Sequence, residues 1–188
     1  GIRPVDILLV GATGVGKSTT INTVLKRNDA LIGKGVGPET IELSSYTLNN
    51  NIRFWDTPGL GDGVKHDQKH SKKIVDLLYK TYESNGKKYG FIDMVLVLIE
   101  GINRDMGTTY QLINNIILPN FPKDRVIFAI NQCDVAMKGR YWSREKKAPE
   151  KELKKYLENQ IDSIQRRIQE TTGILVKRPI YYSAEYKY

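Results

Sequence analysis

Residues 11–18 read GATGVGKS, placing Gly11, Gly14 and Gly16 ahead of Lys17 and Ser18. Three glycines this close together forgo side-chain packing and cost backbone entropy on ordering, so a core or surface role explains them poorly. Bare backbone instead lets consecutive N–H groups converge on anionic oxygens. The stretch follows the apolar run VDILLV and opens a helical pattern, so the loop also sits on the positive end of a helix. In that setting the spacing G-x-x-x-x-G-K-S is the pattern of a nucleotide phosphate loop. Lys17 then supplies a point charge to the β- and γ-phosphates, and Ser18 an oxygen for Mg2+. Gly11, Thr13, Gly14, Val15, Gly16, Lys17, Ser18 and Thr19 are the candidate nucleotide-binding residues of this loop.

A second stretch locates the metal. The run IRFWD ends in Asp56 and continues as TPG, which puts a carboxylate at the carboxyl edge of a neighbouring strand, where ligands of such sheets bind. Asp56 is expected to hold Mg2+ through water, and the Gly59 amide to contact the γ-phosphate. Alone, Asp-Thr-Pro-Gly is an ordinary turn; next to a phosphate loop it reads as part of the site.

The elements that must position these groups alternate along the chain. VDILLV precedes a helix near residues 17–26, then a glycine-rich stretch, LIGKGVGPET, without clear period. IELSSYTL and IRFWD, joined by Asn49, Asn50 and Asn51, read as an antiparallel hairpin. FIDMVLVLIE and DRVIFAIN are continuous and apolar, as buried parallel strands are. YQLINNIIL between them is helical. Leu153, Leu157, Ile161, Ile164 and Ile168 recur at helical spacing across 150–170, a stripe that belongs to core packing. RPIYYS is the last strand. The order predicts an α/β, three-layer fold: a mostly parallel six-stranded sheet with one antiparallel strand and helices on both faces, which together with the phosphate loop resembles the P-loop NTPase fold.

With 188 residues, 40% apolar and 27% charged, the chain suits one domain with a real core. Its longest apolar run, Met94 to Ile99, is six residues, too short to span a bilayer. No signal pattern is visible, and a start at Gly1 reads as a segment excised from something longer. A lone cysteine, Cys133, excludes an internal disulfide and suits a reducing compartment, so the expected location is cytoplasmic. The net charge of +8 permits attraction to phosphates of a nucleotide, RNA or anionic lipid. Much of the excess lies in 65–73 and 140–155, which read as solvated helix faces without the interleaved aromatics of a base-stacking platform. RNA or membrane contact therefore lacks support. His66 and His70, four apart, have no third ligand nearby and read as surface rather than metal site.

Together GATGVGKS, the threonine of GPETIE, DTPG, NQCD at 131–134 and SAE at 183–185 resemble P-loop GTPases of the translation-factor-related class across nearly the whole chain. The TG-x-GKST loop followed by INTVL looks most like septins and immunity-associated (AIG1-type) GTPases and their bacterial relatives. The resemblance implies a single GTP-binding domain over 1–188, lacking the helix that closes the family fold after SAE. It implies GTP and GDP as ligands, Mg2+ held by Ser18, Thr40 and Asp56, and switch regions at 28–41 and 59–70. Asn131, Gln132 and Asp134 would form the base pocket with Ser183 and Ala184, the last through its backbone N–H. Asp134 can accept from both N1–H and the 2-amino group of guanine, whereas adenine would leave a buried carboxylate unpaired. Gln132 stands where the family carries a lysine whose stem covers the base, which shortens that cover.

Two departures bear on catalysis. Leu60 follows DTPG where many small GTPases carry the glutamine that orients the attacking water, so slow intrinsic hydrolysis is expected. Gly14 replaces the asparagine of potassium-activated relatives, so no monovalent cation is expected. Lys17, Thr40, Gly59 and Arg104 are the candidate catalytic set. Arg104, in the loop after MVLVLIE, resembles an arginine that in AIG1-type relatives crosses a homodimer to the partner's nucleotide. The alternative to a hydrolysing switch is a GTP-dependent assembly module with little turnover. An ATP-using kinase is disfavoured by NQCD and by the hairpin topology. The effector is not legible in the sequence.

Overall fold

The computed structural model describes residues 3–24, 31–34, 44–61, 63–101 and 106–188. In chain order the elements are β1 (Val5–Gly11), α1 (Lys17–Val24), β2 (Leu31–Lys34), β3 (Ser44–Asn49), β4 (Ile52–Asp56), α2 (Val64–Tyr79), β5 (Thr81–Ser84), β6 (Lys87–Gly90) and β7 (Met94–Glu100). They continue as α3 (Gly107–Gln111), which runs into a π-helical turn over Leu112–Ile117, then β8 (Val126–Asn131), β9 (Trp142–Ser143), β10 (Ala148–Pro149), α4 (Lys151–Thr172) and β11 (Ile180–Tyr181).

The main sheet has the order β11-β8-β7-β1-β4-β3-β2. β1 pairs in parallel with β4 and β7, as do β7 with β8 and β8 with β11. β3 runs against β4, and β2 against β3, so β3 alone opposes the rest. All six expected strands are present. A seventh, β2, joins the edge inside the glycine-rich stretch, where four residues are too few for a period to show.

Strand alternation sorts the core. Leu8 and Val10, with Val95, Val97, Ile99, Val126, Phe128 and Ile130, face α2, the π-helical turn and α4. Leu9, Leu98 and Ala129 face the other way, toward Val15 and Ile21 of the phosphate loop and α1. Helices thus cover both faces. α4 forms because its apolar stripe is buried at Leu153, Leu157, Ile161, Ile164 and Ile168, each burial contributing about 1.5–3 kcal/mol. It stops at Gly173, whose left-handed φ of 70° lets its N–H reach Gln169 O at 2.8 Å.

The amino edge of the sheet is fastened by a buried acid. Asp6, fully buried, accepts from Arg53 Nε and Trp55 Nε1 at 2.6 Å each and pairs with Arg3 at 2.6 Å. Arg3 also lies over the Tyr82 ring of a separate β5–β6 hairpin, 4.1 Å from its centroid. That hairpin turns through Asn85 (φ 51°) and Gly86 (φ 69°), the paired positive angles an Asn-Gly turn allows. Among the described residues no helix is long and apolar enough to cross a membrane.

Candidate nucleotide-binding site

Parallel strands deliver their carboxyl ends to one edge of the sheet. The register sets Leu9 beside Asp56, Gly11 beside Leu98, Glu100 beside Asn131 and Tyr181 beside Ile130. GATGVGKS, DTPG, NQCD and SAE therefore gather on one rim although they lie up to about 170 residues apart in sequence.

The phosphate loop bends where its glycines permit. Gly16 has φ +92°, and a Cβ there would lie 2.4 Å from Asn131 Nδ2. Backbone conformation and space both demand glycine. Thr20 N–H bonds to Gly16 O at 2.9 Å, closing the first turn of α1, while Ser18 and Thr19 stay exposed at its start. Lys17 is 9% exposed and folds back on the loop, its Nζ donating to Gly11 O at 3.2 Å and Ala12 O at 3.3 Å. The ammonium thus rests on the last carbonyl of β1 and the first of the loop.

DTPG lies against this loop. Thr57 Oγ1 donates to Leu9 O at 2.8 Å, which anchors the turn to β1. A side chain at Gly59 would begin 2.5 Å from Thr13 Oγ1, so only glycine lets the two loops touch. Thr13 N–H donates to Leu60 O at 2.8 Å, and Leu60 forms a bridge with Ala12. The Leu60 side chain is buried at 4% exposure in the core, which its apolar character favours. It points away from water and has nothing with which to orient one. The stretch 59–70, expected to act as a switch, runs into α2 at Val64. Its early turns hold the loop: Asp67 Oδ1 accepts from Gly61 N–H at 2.9 Å, and His70 Nδ1 lies 3.1 Å from Gly59 O. His70, read from sequence as surface, thus has a structural contact at the site. Among the described residues no cluster of three metal-ligating side chains occurs.

Asp56 carries the metal expectation. Its Oδ1 is buried and has no hydrogen-bond partner among the described residues. Burial pushes its carboxyl above the ordinary range, against the pull of the Lys17 charge and the Thr57 amide. A desolvated, orphaned carboxylate oxygen beside a phosphate cradle fits a divalent cation with oxygen ligands. Ser18 stands at the helix start on the same rim. Asp56→Asn is expected to weaken the Mg2+-dependent part of GTP affinity about 10- to 100-fold. Because the folded-state pKa is raised, the ionised form disfavours folding above the carboxyl's unfolded value. The variant should therefore melt higher than wild type at pH 7, with the gap closing as pH falls through 4. Titration with and without EDTA, and melting curves at both pH values, check this.

The side expected to take the base is organised by Asn131. Its Nδ2 donates to Val15 O at 3.0 Å, and its Oδ1 accepts from Ala184 N–H at 3.2 Å. The Ala184 N–H expected to read the base is thus already donated within the protein, and it must share that bond to meet a ligand. Asn131, Ser183 and Ala184 are buried at 2%, 0% and 5% exposure, and Asp134 is half-buried in the turn beyond β8. Gln132 turns that corner with φ 61°, and its buried Oε1 has no partner among the described residues. Between them the Cys133 thiol is buried and pushed up to about 12, by burial first and by the Asp134 charge second, so it stays neutral. Thr40, Arg104 and most of 28–41 lie outside the described residues. Sequence reasoning missed two hydroxyls of α1: Thr20 meets the Tyr182 hydroxyl just before SAE, and Thr23 reaches Ala184 O within it; the helix period marks their shared face but not what meets it.

Residues 6–172 match the family of 50S ribosome-binding GTPases. Over 142 residues the chain is 28% identical to the Probable GTP-binding protein EngB of Pediococcus pentosaceus, covering 76% of this chain and 69% of that protein. Over 77 residues it is 38% identical to Translocase of chloroplast 126 of Physcomitrium patens, covering 39% of this chain and 6% of that protein. The chain thus spans only part of the length of the curated relatives it matches. In fold it is similar to Toc33 from Arabidopsis thaliana in complex with GDP and Mg2+, with TM-score 0.60 at 17% identity over 97% of this chain and 72% of that one.

Proposed function

The chain belongs to the family of 50S ribosome-binding GTPases, and on that premise we propose that it binds GTP and GDP with Mg2+, hydrolyses GTP slowly and acts as a switch between the two states. One observation carries the reading. The glycine loop with Lys17, the orphaned Oδ1 of Asp56 and the Asn131–Ala184 pair converge on one rim of the sheet. Lys17 would meet the β- and γ-phosphates and the loop amides their oxygens. Ser18, Thr40 and Asp56 would hold Mg2+, which neutralises phosphate charge when bound. Asp134 would read guanine, with Gln132, Ser183 and Ala184 around the base.

Residues 1–188 act in this reading as one G domain, in the cytoplasm, where a lone buried thiol is at home. The loop TG-x-GKST supports a place near the septin and AIG1-type branch. Core placement of Leu60 supports slow intrinsic turnover, because no amide side chain follows DTPG to align water. The missing group would come from a second copy, with Arg104 stabilising charge on the transferred phosphoryl group, an effect worth about 10³- to 10⁵-fold where arginine fingers act. GTP turnover per molecule should then rise with protein concentration, and Arg104→Ala should flatten the rise without weakening GTP binding. Phosphate release measured across a concentration series checks this. A wild-type rate independent of concentration would remove the dimer, and negligible release at any concentration would favour the assembly module.

A further inference from the structure

We propose that Tyr182 is a positioning residue for nucleotide retention, fastening the base-side loop to the helix that carries the phosphate loop; this rests on the nucleotide reading of the rim. Thr20 and Thr23 are three apart on α1 and share a face. The Thr20 hydroxyl donates to Gly16 O at 2.8 Å, which uses its one proton. The Tyr182 hydroxyl, 2.6 Å from Thr20 Oγ1, is therefore the donor between them. One turn along, Thr23 Oγ1 donates to Ala184 O at 2.9 Å.

These bonds close a ring. From Gly16 it passes through Thr20 to Tyr182, along the backbone to Ala184, across to Asn131 and back to the phosphate loop at Val15. Tyr182 is held from the sheet side as well, its N–H on Ile130 O at 2.8 Å and its carbonyl taking Cys133 N–H at 3.2 Å. Its ring packs beside Leu9, Val15, Ile21, Leu98 and Ala129, a role phenylalanine would fill equally. Burial keeps the phenol neutral, its pKa pushed up to about 12. The hydroxyl therefore adds something packing does not need: it makes movement of the base-side loop stretch a bond to the phosphate-loop helix.

The test uses release of ribose-labelled fluorescent GDP, chased with unlabelled GDP in Mg2+ buffer, for wild type, Tyr182→Phe, Thr20→Val, Thr20→Ser and the double variant Tyr182→Phe/Thr20→Val. Loss of the link should speed release about 3- to 10-fold in Tyr182→Phe. The double variant should be no faster than Thr20→Val alone, since both break one link, and Thr20→Ser should stay near wild type. Preference for GDP over ADP in competition should fall in parallel. A purely structural role would lower the melting temperature while leaving release and base preference alone. Release from Tyr182→Phe within twofold of wild type overturns the proposal, as does strictly additive acceleration in the double variant. A wild type that does not retain GDP overturns the nucleotide reading itself.

Discussion

Lys17→Ala is expected to lower GTP affinity about 10²- to 10⁴-fold, and GDP affinity by less because it lacks the γ-phosphate, while leaving the fold intact. The magnitude follows from the bonds lost: an ammonium shared by two phosphates makes at least two charge-assisted hydrogen bonds, each worth about 1.5–3 kcal/mol. Lys17 is also the charge that pulls the Asp56 carboxyl down against its burial. In the variant that carboxylate loses its only such neighbour among the causes of its shift, so the loop becomes more repulsive to phosphate as well as less attractive. The fold should survive because the bonds from Lys17 to Gly11 O and Ala12 O are long, at 3.2 and 3.3 Å, and Gly11 O also takes the Leu60 N–H. Titration with fluorescent GDP and a melting curve measure the two effects. Normal GDP binding by the variant would end the phosphate-loop reading.

Asp134→Asn is expected to move preference from GTP to xanthosine triphosphate, with GTP affinity falling about 10²- to 10³-fold. Guanine offers two donors on one edge, and a carboxylate accepts both. An asparagine turns one of those acceptors into a donor, which faces the guanine amino group unfavourably and the xanthine carbonyl favourably. The side chain sits half-buried in the turn after β8, beside the strand end that carries Asn131, so the exchange acts on a partly desolvated bond. Competition between GTP and xanthosine triphosphate reads the preference directly. Unchanged GTP affinity would take Asp134 out of the base pocket.

Legibility in the sequence followed how local each signal is. The phosphate loop is eight contiguous residues, and its chemistry needs only its own backbone and the next helix, so spacing sufficed. Parallel strands such as MVLVLIE and VIFAIN announce themselves because both faces are buried. The five buried positions of α4 coincide with its sequence stripe for the same reason. Asn85-Gly86 between TYES and KKYG is a hairpin signal of equal strength, and it marks the β5–β6 pair that periodicity over four residues cannot reveal. β2 carries no such turn signal, and its place in the sheet depends on β3.

The sequence by itself determined the fold class, the phosphate loop and the residue types that the sheet gathers on one rim, because each is encoded in contiguous residues whose spacing is tied to backbone geometry. Only the tertiary structure decided which of those groups are already engaged. Asn131 takes the Ala184 N–H, Leu60 sends its side chain into the core while its carbonyl meets Thr13, and Thr20 finds Tyr182 across 162 positions. Asp6, an acid inside an apolar strand, is explained only by Arg3, Arg53 and Trp55 gathered around it. Hydrogen bonds and buried charges select partners by distance in space, to within a few tenths of an ångström, and chain separation carries no information about that distance until the sheet has set its register.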